Sequence, residues 1–351
     1  MFLSLEIGLA RDSVVPRQND ARRLKQAEQQ IEKQREHVAR QNQELRQARQ
    51  QLASEDREPA GLRAALDGSS KTRGVRAENI IWIFGSGRSG STWLSSMMGD
   101  LTGQTLWGEP WVGTLFGNFY YGQDERRRQN PQFILGRHRE SWLKSIRNFV
   151  LDAASATFPD LEGDDYLVIK EPNGSIGAPL LMEALPESRM VLLVRDPRDV
   201  VASVLDGARQ GNWLYERNER ENWKRKALPD NNPNAFARHR SRIYLLHAGS
   251  AKKAYDAHRG RKVLVRYEDL RADTLGTMKR IYASLEIPVN ARELARTVEE
   301  HSWENIPEKE KGEGKFYRKA APGGWKEDLT PKQAEIVETI TAPLLKEFYP
   351  A

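Results

Sequence analysis

The 351-residue chain contains no cysteine and only six histidines. Without cysteine there can be no disulfide, no thiolate nucleophile and no cysteine-based metal site. No two histidines have the spacing of a His-Glu-x-x-His zinc motif. Any chemistry must therefore come from residue types other than cysteine.

Long apolar runs are also missing. No stretch of about 18 apolar residues occurs, which excludes a membrane-spanning helix. The first residues, MFLSLEIGLARD, lack a basic region and reach the acidic Glu6 early, so we expect no secretory signal and a cytoplasmic protein. Lys and Arg together number 55 against 49 Asp and Glu. Such a modest excess fits a site for an anionic ligand as well as a nucleic-acid surface.

Composition and apolar spacing divide the chain into four parts. A leucine, isoleucine or valine recurs at every seventh position from Leu24 to Leu52, which predicts a long helix. The second apolar row of that helix is weak, so both a homo-oligomeric coiled coil and a solvated single helix remain open. The predicted parts are an N-terminal tail (1–19), the long helix (20–52), a linker rich in Gly and Pro (53–77) and a globular domain (78–351).

Beyond residue 78, short apolar runs alternate with helical patterns. This alternation predicts an α/β protein with a central parallel sheet in three layers, preceded by the long N-terminal helix. The predicted strands are 79–85, 166–170, 190–195 and 262–267. The predicted helices are 90–101, 139–157, 197–209, 235–258, 274–286, 291–302 and 331–348.

A glycine-rich turn over 85–92 (GSGRSGST) joins the first strand to the helix after it. Such a turn gathers free backbone N–H groups at the positive end of a helix dipole, which makes it an anion cradle. The glycine spacing is that of a P-loop, so we predict a P-loop-type fold. Ser91, however, stands where a nucleotide-hydrolysing P-loop has its lysine, and Arg88 supplies a fixed cation inside the turn instead.

This turn closely resembles the 5′-phosphosulfate loop of sulfotransferases that use 3′-phosphoadenylyl sulfate (PAPS) and release PAP. The segments 195–203 (RDPRDVVAS) and 318–326 (RKAAPGGWK) are similar to the family's two 3′-phosphate motifs, although Ala320 stands where the family has glycine. Tyr267 in YEDL and Trp303 in HSWE resemble its adenine-contacting aromatics. The resemblance implies that PAPS is bound by Gly87, Arg88, Ser89, Gly90, Ser91, Thr92, Arg195, Ser203, Tyr267, Trp303, Arg318, Lys319 and Gly323.

The same resemblance implies groups that stabilise the transition state. Sulfuryl transfer requires charge to be neutralised on the leaving oxygen, and positioning and electrostatics dominate such reactions. Arg88 is the first candidate for this role and Lys170, at the end of a predicted strand, is the second. With these cations in place no metal is expected. The histidine base of the cytosolic enzymes is missing, because Pro172 stands at its position.

Glu109 is the preferred candidate for the base that deprotonates the acceptor. Protein-tyrosine sulfotransferases carry a similar Gly-Glu pair at a similar distance from the loop. Trp107 and Trp111 flank Glu109, and we expect this aromatic setting to raise its pKa toward neutrality. Glu171 and His138 are the alternative bases.

The sequence therefore predicts a PAPS-dependent sulfotransferase whose acceptor is a hydroxyl or amine of a carbohydrate, glycolipid or small metabolite. We expect no nucleic-acid partner, and the coiled-coil alternative for residues 20–52 implies a homo-oligomer. Two other functions remain open. One is a nucleotide kinase or NTPase that uses the same loop, and the other is a non-catalytic coiled-coil scaffold whose basic surface binds nucleic acid.

Overall fold

Five parallel strands form the central sheet of the computed structural model, which describes residues 74–161, 163–220 and 232–350. Across the sheet the strand order is β2-β3-β1-β4-β5. The helix predicted over 20–52 and nearly all of the predicted linker lie outside the described residues. The strands are β1 (Ile80–Gly85), β2 (Gln104–Gly108), β3 (Tyr166–Lys170), β4 (Arg189–Val194) and β5 (Lys262–Arg266).

Helices cover both faces of this sheet. None of the helices among the described residues is both long and apolar enough to cross a membrane. The α-helices are α1 (Ser91–Gly99), α2 (Val112–Tyr121), α3 (Glu125–Arg128), α4 (Arg139–Thr157), α5 (Ala178–Ala184), α6 (Pro197–Gly207), α7 (Trp213–Arg220), α8 (Pro233–Ala257), α9 (Tyr267–Ala272), α10 (Thr274–Ser284), α11 (Ala291–Glu300), α12 (Trp325–Asp328) and α13 (Pro331–Phe348). Short 3-10 turns span Ala77–Asn79, Ser175–Gly177, Trp303–Asn305 and Glu308–Glu310.

The side chains of β1 show why the layers form. Every residue of β1 is buried, and successive side chains of a strand point to opposite faces. Ile80, Trp82 and Phe84 pack against α4, α5 and α8. Ile81 and Ile83 pack against α1, α10 and α11. The sheet is thus sandwiched between two helical layers, and the predicted three-layer α/β fold with a central parallel sheet is confirmed.

The sequence missed the strand β2 and several short helices. β2 (QTLWG) lies at the edge of the sheet and none of its residues is fully buried, so it lacks the apolar run by which the other strands were recognised. This omission matters, because Glu109 directly follows β2 and pairs with the end of β3. The carboxyl ends of β2 and β3 therefore belong to the same edge of the sheet as the glycine-rich turn.

The position of β1 determines where a ligand can bind. From β1 the chain goes on to β2 and β3 on one side of it, and then to β4 and β5 on the other. In open parallel sheets, ligands bind at the carboxyl ends of the strands where the connections change direction. The turn that leaves β1 lies at this point, between the ends of β3 and β4.

Candidate functional site

The turn over 85–92 is held in one conformation by its own contacts. Arg88 has a positive φ of 69° and Gly90 one of 89°. A side chain at Gly90 would overlap the ring of Tyr267, since a Cβ there would lie 2.5 Å from its Cδ2. The Ser89 hydroxyl is buried and donates to the Ser86 carbonyl at 2.6 Å. Among the predicted loop residues, the Ser89 hydroxyl therefore already has a hydrogen-bond partner inside the turn.

The Arg88 side chain crosses from the turn toward β4 and its helix. Its Nε donates to the Ser203 hydroxyl at 3.2 Å, and an Nη donates to the Phe316 carbonyl at 2.7 Å. Its guanidinium lies 4.4 Å from the Phe316 ring centre and 4.8 Å from that of Trp213. Burial, followed by the charges of Arg195 and Arg318, lowers the pKa of Arg88 to about 10. Cations are thus brought together here, and among the described residues no carboxylate forms an ion pair with Arg88.

Arg195 follows β4 and points to the same place. Its Nη1 donates to the Arg88 carbonyl at 3.1 Å, and its guanidinium lies 4.3 Å from the Tyr267 ring centre. The Arg195 Nε is buried and has no hydrogen-bond partner among the described residues. The neighbouring Asp196 pairs with Arg198 instead, at 2.7 Å, and caps α6. A buried donor without a partner is costly and marks a place where a ligand could bind.

The segment 318–325 reaches the site from the far end of the chain. Asp328 of α12 holds the Arg318 guanidinium at 2.6 Å and the Lys319 ammonium at 2.9 Å. Gly323, expected to bind a phosphate through its backbone, donates its N–H to Asp199 at 2.7 Å instead. The reason is that Asp199 is buried in the first turn of α6 and needs donors. Ala320 has a positive φ of 47°, a conformation that suits the glycine found in the family motif.

These elements enclose one cleft of about 800 Å³, partly open to solvent. The predicted residues that line it are Arg88, Gly90, Ser91, Thr92, Arg195, Ser203, Tyr267, Trp303, Arg318 and Lys319. Gly87, Ser89 and Gly323 do not line it. The lining residues that the sequence analysis missed are Trp93, Arg271, His301, Ile306, Phe316, Tyr317 and Ala320.

Aromatic rings form one end of the cleft. The Trp93 and Tyr267 rings meet edge to face with their centres 6.3 Å apart, and Trp93 Nε1 donates to the His301 carbonyl at 2.8 Å. Trp303 lines the cleft with the Lys311 ammonium 5.3 Å from its ring centre. Trp93 directly follows Thr92, so its place after the loop was the signal that could have identified it.

Glu109 and Lys170 form an ion pair on the other side of the turn. Lys170 Nζ lies 2.8 Å from Glu109 Oε1 and 3.4 Å from the Thr92 hydroxyl. Asn173 donates to Glu109 Oε2 at 2.7 Å. Burial pushes the pKa of Glu109 upward, but the hydrogen bond and charge of Lys170, helped by Asn173, hold it below its ordinary value. The expected rise of this pKa was therefore wrong, because a cation and an amide bind the carboxylate.

Glu171, one of the two alternative bases, is the carboxyl whose pKa rises. It is almost fully buried beneath the turn 109–111, and its Oε2 accepts the Trp111 N–H at 3.1 Å. Burial raises the pKa of Glu171 to about 8, although the Trp111 amide opposes this. The other alternative, His138, is exposed at the start of α4 and does not line the cleft. Within the described ranges no group of His, Asp and Glu could hold a metal ion.

Comparison with known proteins identifies the family. A family model described as "Sulfotransferase family" matches residues 81–291, which is more than half of the chain. The chain therefore belongs to the sulfotransferase family. A search of curated protein sequences gives no match.

Solved sulfotransferase structures are similar to this chain at low sequence identity. Sulfotransferase STF9 from Mycobacterium avium is 15% identical with a TM-score of 0.50, covering 79% of this chain and 78% of that one. Mouse sulfotransferase SULT7A1 complexed with PAP is 16% identical with a TM-score of 0.49, covering 78% and 86%. The sulfotransferase domain from the curacin biosynthetic pathway is 16% identical with a TM-score of 0.43, covering 78% and 98%.

Proposed function

We propose that this sulfotransferase takes its sulfuryl group from PAPS and transfers it to an acceptor hydroxyl. The observation that carries the proposal is the convergence of Arg88 and Arg195 on one cleft. No carboxylate among the described residues pairs with either arginine, and one Arg195 nitrogen is buried without a partner. Such unneutralised cations favour a ligand with more than one negative group.

The cleft has the parts that each end of PAPS requires. The phosphosulfate end would bind the N–H groups of the turn at the start of α1 together with Ser91 and Thr92. The 3′-phosphate would accept hydrogen bonds from Arg195, Ser203 and the 318–319 pair. Trp93 and Trp303 offer faces on which an adenine can stack, an interaction worth about 1–3 kcal/mol per base.

The reacting groups would lie at the phosphosulfate end, next to the turn. In the transfer, the bond from sulfur to the bridging oxygen breaks as the acceptor oxygen attacks, and negative charge grows on the departing oxygen. Arg88 and Lys170 would neutralise that charge. Glu109 would accept the acceptor proton. The carboxylate is ionised at neutral pH and can accept a proton, while the Lys170 contact that lowers its pKa makes it a weaker base than a free glutamate.

Ligand-induced thermal stabilisation of the full chain tests the donor assignment. PAP should raise the melting temperature, since a ligand at a hundred times its dissociation constant stabilises by about 2.7 kcal/mol. ATP with Mg²⁺ should have a much smaller effect. Stabilisation by ATP and Mg²⁺ alone would instead favour a nucleotide kinase or NTPase.

The acceptor is tested separately with radiolabelled PAPS over sugars, phenols and lipids. Label transfer to a hydroxyl compound is the expected result, and transfer to amines only would contradict the acceptor class. The cytoplasmic location and the homo-oligomer through residues 20–52 stay predictions. For the oligomer, sedimentation should find more chains in each particle of the full chain than in each particle of a chain that lacks residues 1–71.

A further inference from the structure

The largest exposed apolar side chains are concentrated around α2. Trp111, Leu115 and Phe119 are 49%, 54% and 48% exposed, and their spacing of four places them along one face of a helix. Ile134, 76% exposed, adjoins Phe133, whose ring centre lies 5.3 Å from that of Phe119. We call Trp111, Leu115, Phe119 and Ile134 the apolar face. Exposed apolar groups gathered in this way mark an interaction site.

The opposite side of α2 fixes this face outward. Gly113 and Gly117 lie against Gly174 and Gly177 so closely that a Cβ on Gly113 would overlap the Gly174 carbonyl. A Cβ on Gly117 would lie 2.5 Å from the Gly177 nitrogen. Because the inner side is held at backbone contact, α2 cannot rotate to bury its outer side chains. Among the described residues the apolar face therefore stays exposed to a partner.

Basic residues are frequent in the segment that follows α2. The segment 122–140, which includes α3 and the first residues of α4, contains five arginines and three carboxylates, and one of these arginines, Arg139, is paired with Glu183. Arg126, Arg127 and Arg137 are exposed, and Arg128 lies 5.4 Å over the ring of Tyr120 on α2. One of the carboxylates, Asp124, is occupied in capping α3. Exposed Trp, Phe and Ile side chains next to exposed arginines are the composition of an interfacial helix that binds anionic lipid.

We propose that the apolar face and these arginines dock the protein onto the surface of an anionic lipid bilayer. The side chains enter the boundary between headgroups and acyl chains, and the arginines contact the lipid phosphates. Trp111 is only two residues from Glu109. Resting on the proposed function, this places the Glu109 carboxylate, the proposed base, at the membrane surface. The sulfuryl acceptor is then a hydroxyl-bearing lipid headgroup.

Flotation with lipid vesicles tests the docking without any nucleotide. The full chain should bind vesicles of phosphatidylcholine mixed with phosphatidylglycerol, and bind phosphatidylcholine alone more weakly. Leu115→Gln with Phe119→Gln should weaken the anionic-vesicle affinity by on the order of a hundredfold. Arg126→Glu with Arg127→Glu should weaken it by about tenfold or more. Both double variants must keep the wild-type melting temperature and its increase with PAP, which shows that they fold.

Matched controls come from α8, where Leu246 is 48% exposed and Arg238 and Arg242 are exposed. Leu246→Gln, and Arg238→Glu with Arg242→Glu, should leave vesicle binding unchanged. Equal binding by the wild type and both α2–α3 variants would overturn the proposal, as would a loss shared by the controls. The proposal would also be overturned if the wild-type chain did not bind vesicles but formed a dimer that the Leu115 and Phe119 changes abolished. The apolar face would then bind a second copy of the chain.

The outcome is separable from that of the proposed function. Vesicle binding without a response to PAP would leave the docking intact and remove the PAPS assignment. A response to PAP without vesicle binding would do the reverse. If both hold, sulfuryl transfer to a hydroxyl-bearing lipid should be faster in anionic vesicles than in neutral ones, and the two α2–α3 variants should lose that difference.

Discussion

The two sides of β1 carry opposite electrostatic arrangements at the same edge of the sheet. On the β4–β5 side, Arg88 and Arg195 lie together in a cleft without a carboxylate partner among the described residues. On the β2–β3 side, Lys170 is matched by Glu109 at 2.8 Å. The first arrangement leaves positive charge available to a ligand, whereas the second neutralises itself.

Under the proposed function, this difference separates donor binding, on the β4–β5 side, from the chemical step, on the β2–β3 side. Buried cations without partners destabilise the empty protein, and that unfavourable free energy is relieved when an anion binds. A carboxylate held by a lysine and an amide costs little and stays ionised over a wide pH range. Changes on the β2–β3 side should therefore act on turnover, and changes on the β4–β5 side on donor affinity.

The largest effect is expected for Glu109→Gln. Removing a base lowers turnover by roughly a hundredfold to ten-thousandfold, while the dissociation constant of PAP should remain nearly unchanged because Glu109 does not line the cleft. Steady-state kinetics and calorimetry with PAP measure the two quantities. Glu140→Gln, at an exposed position of α4, is the control. Full activity in the Glu109 variant would show that another group is the base.

Arg195→Met should weaken PAP binding and leave turnover nearly unchanged. Losing hydrogen bonds from a charged group of this kind costs about 1.5–3 kcal/mol each, so PAP binding should weaken by about tenfold to a hundredfold. Turnover at saturating donor should change much less. Arg238→Met on α8 is the matched control. If PAP affinity did not change, the 3′-phosphate would have to bind elsewhere.

Asp199→Ala should mainly lower stability. Its carboxylate accepts the N–H groups of Gly323 at 2.7 Å and Trp325 at 2.9 Å, so its loss leaves two amides without this partner. The expected loss is about 1–3 kcal/mol, which lowers the melting temperature by roughly 2–10 °C in a domain of this size. Scanning calorimetry measures it, with the exposed Asp152→Ala as control. An unchanged melting temperature would mean that Asp199 does not anchor this segment.

The last prediction concerns the pH dependence contributed by Glu171. Its pKa in the folded protein is about 8 against an ordinary 4.5, so between these values the native state holds a proton that the unfolded chain has lost. The free energy of unfolding should therefore fall as pH rises from about 4.5 to 8. Glu171→Gln should make this fall shallower in urea titrations. Identical pH profiles in both proteins would contradict the raised pKa.

How far the sequence predicted this molecule depended on whether the signal was local. The helices 139–157 and 331–348 were placed residue for residue, because their apolar spacing lies within one segment. The grouping of Arg88 with Arg195 was expected because both follow buried strands. The pKa of Glu109 was mispredicted because its partner Lys170 lies 61 positions away in the sequence. The two residues meet because β2, the edge strand that the sequence did not reveal, pairs with β3.

The glycine contact beneath α2 has one more consequence. Asn173 directly precedes Gly174, which lies against Gly113, and it donates to the Glu109 carboxylate. Because no side chain separates the two backbones, we expect α2 and this loop to move together. A displacement of α2 is therefore expected to shift Asn173 and, with it, the Glu109 carboxylate that Asn173 holds.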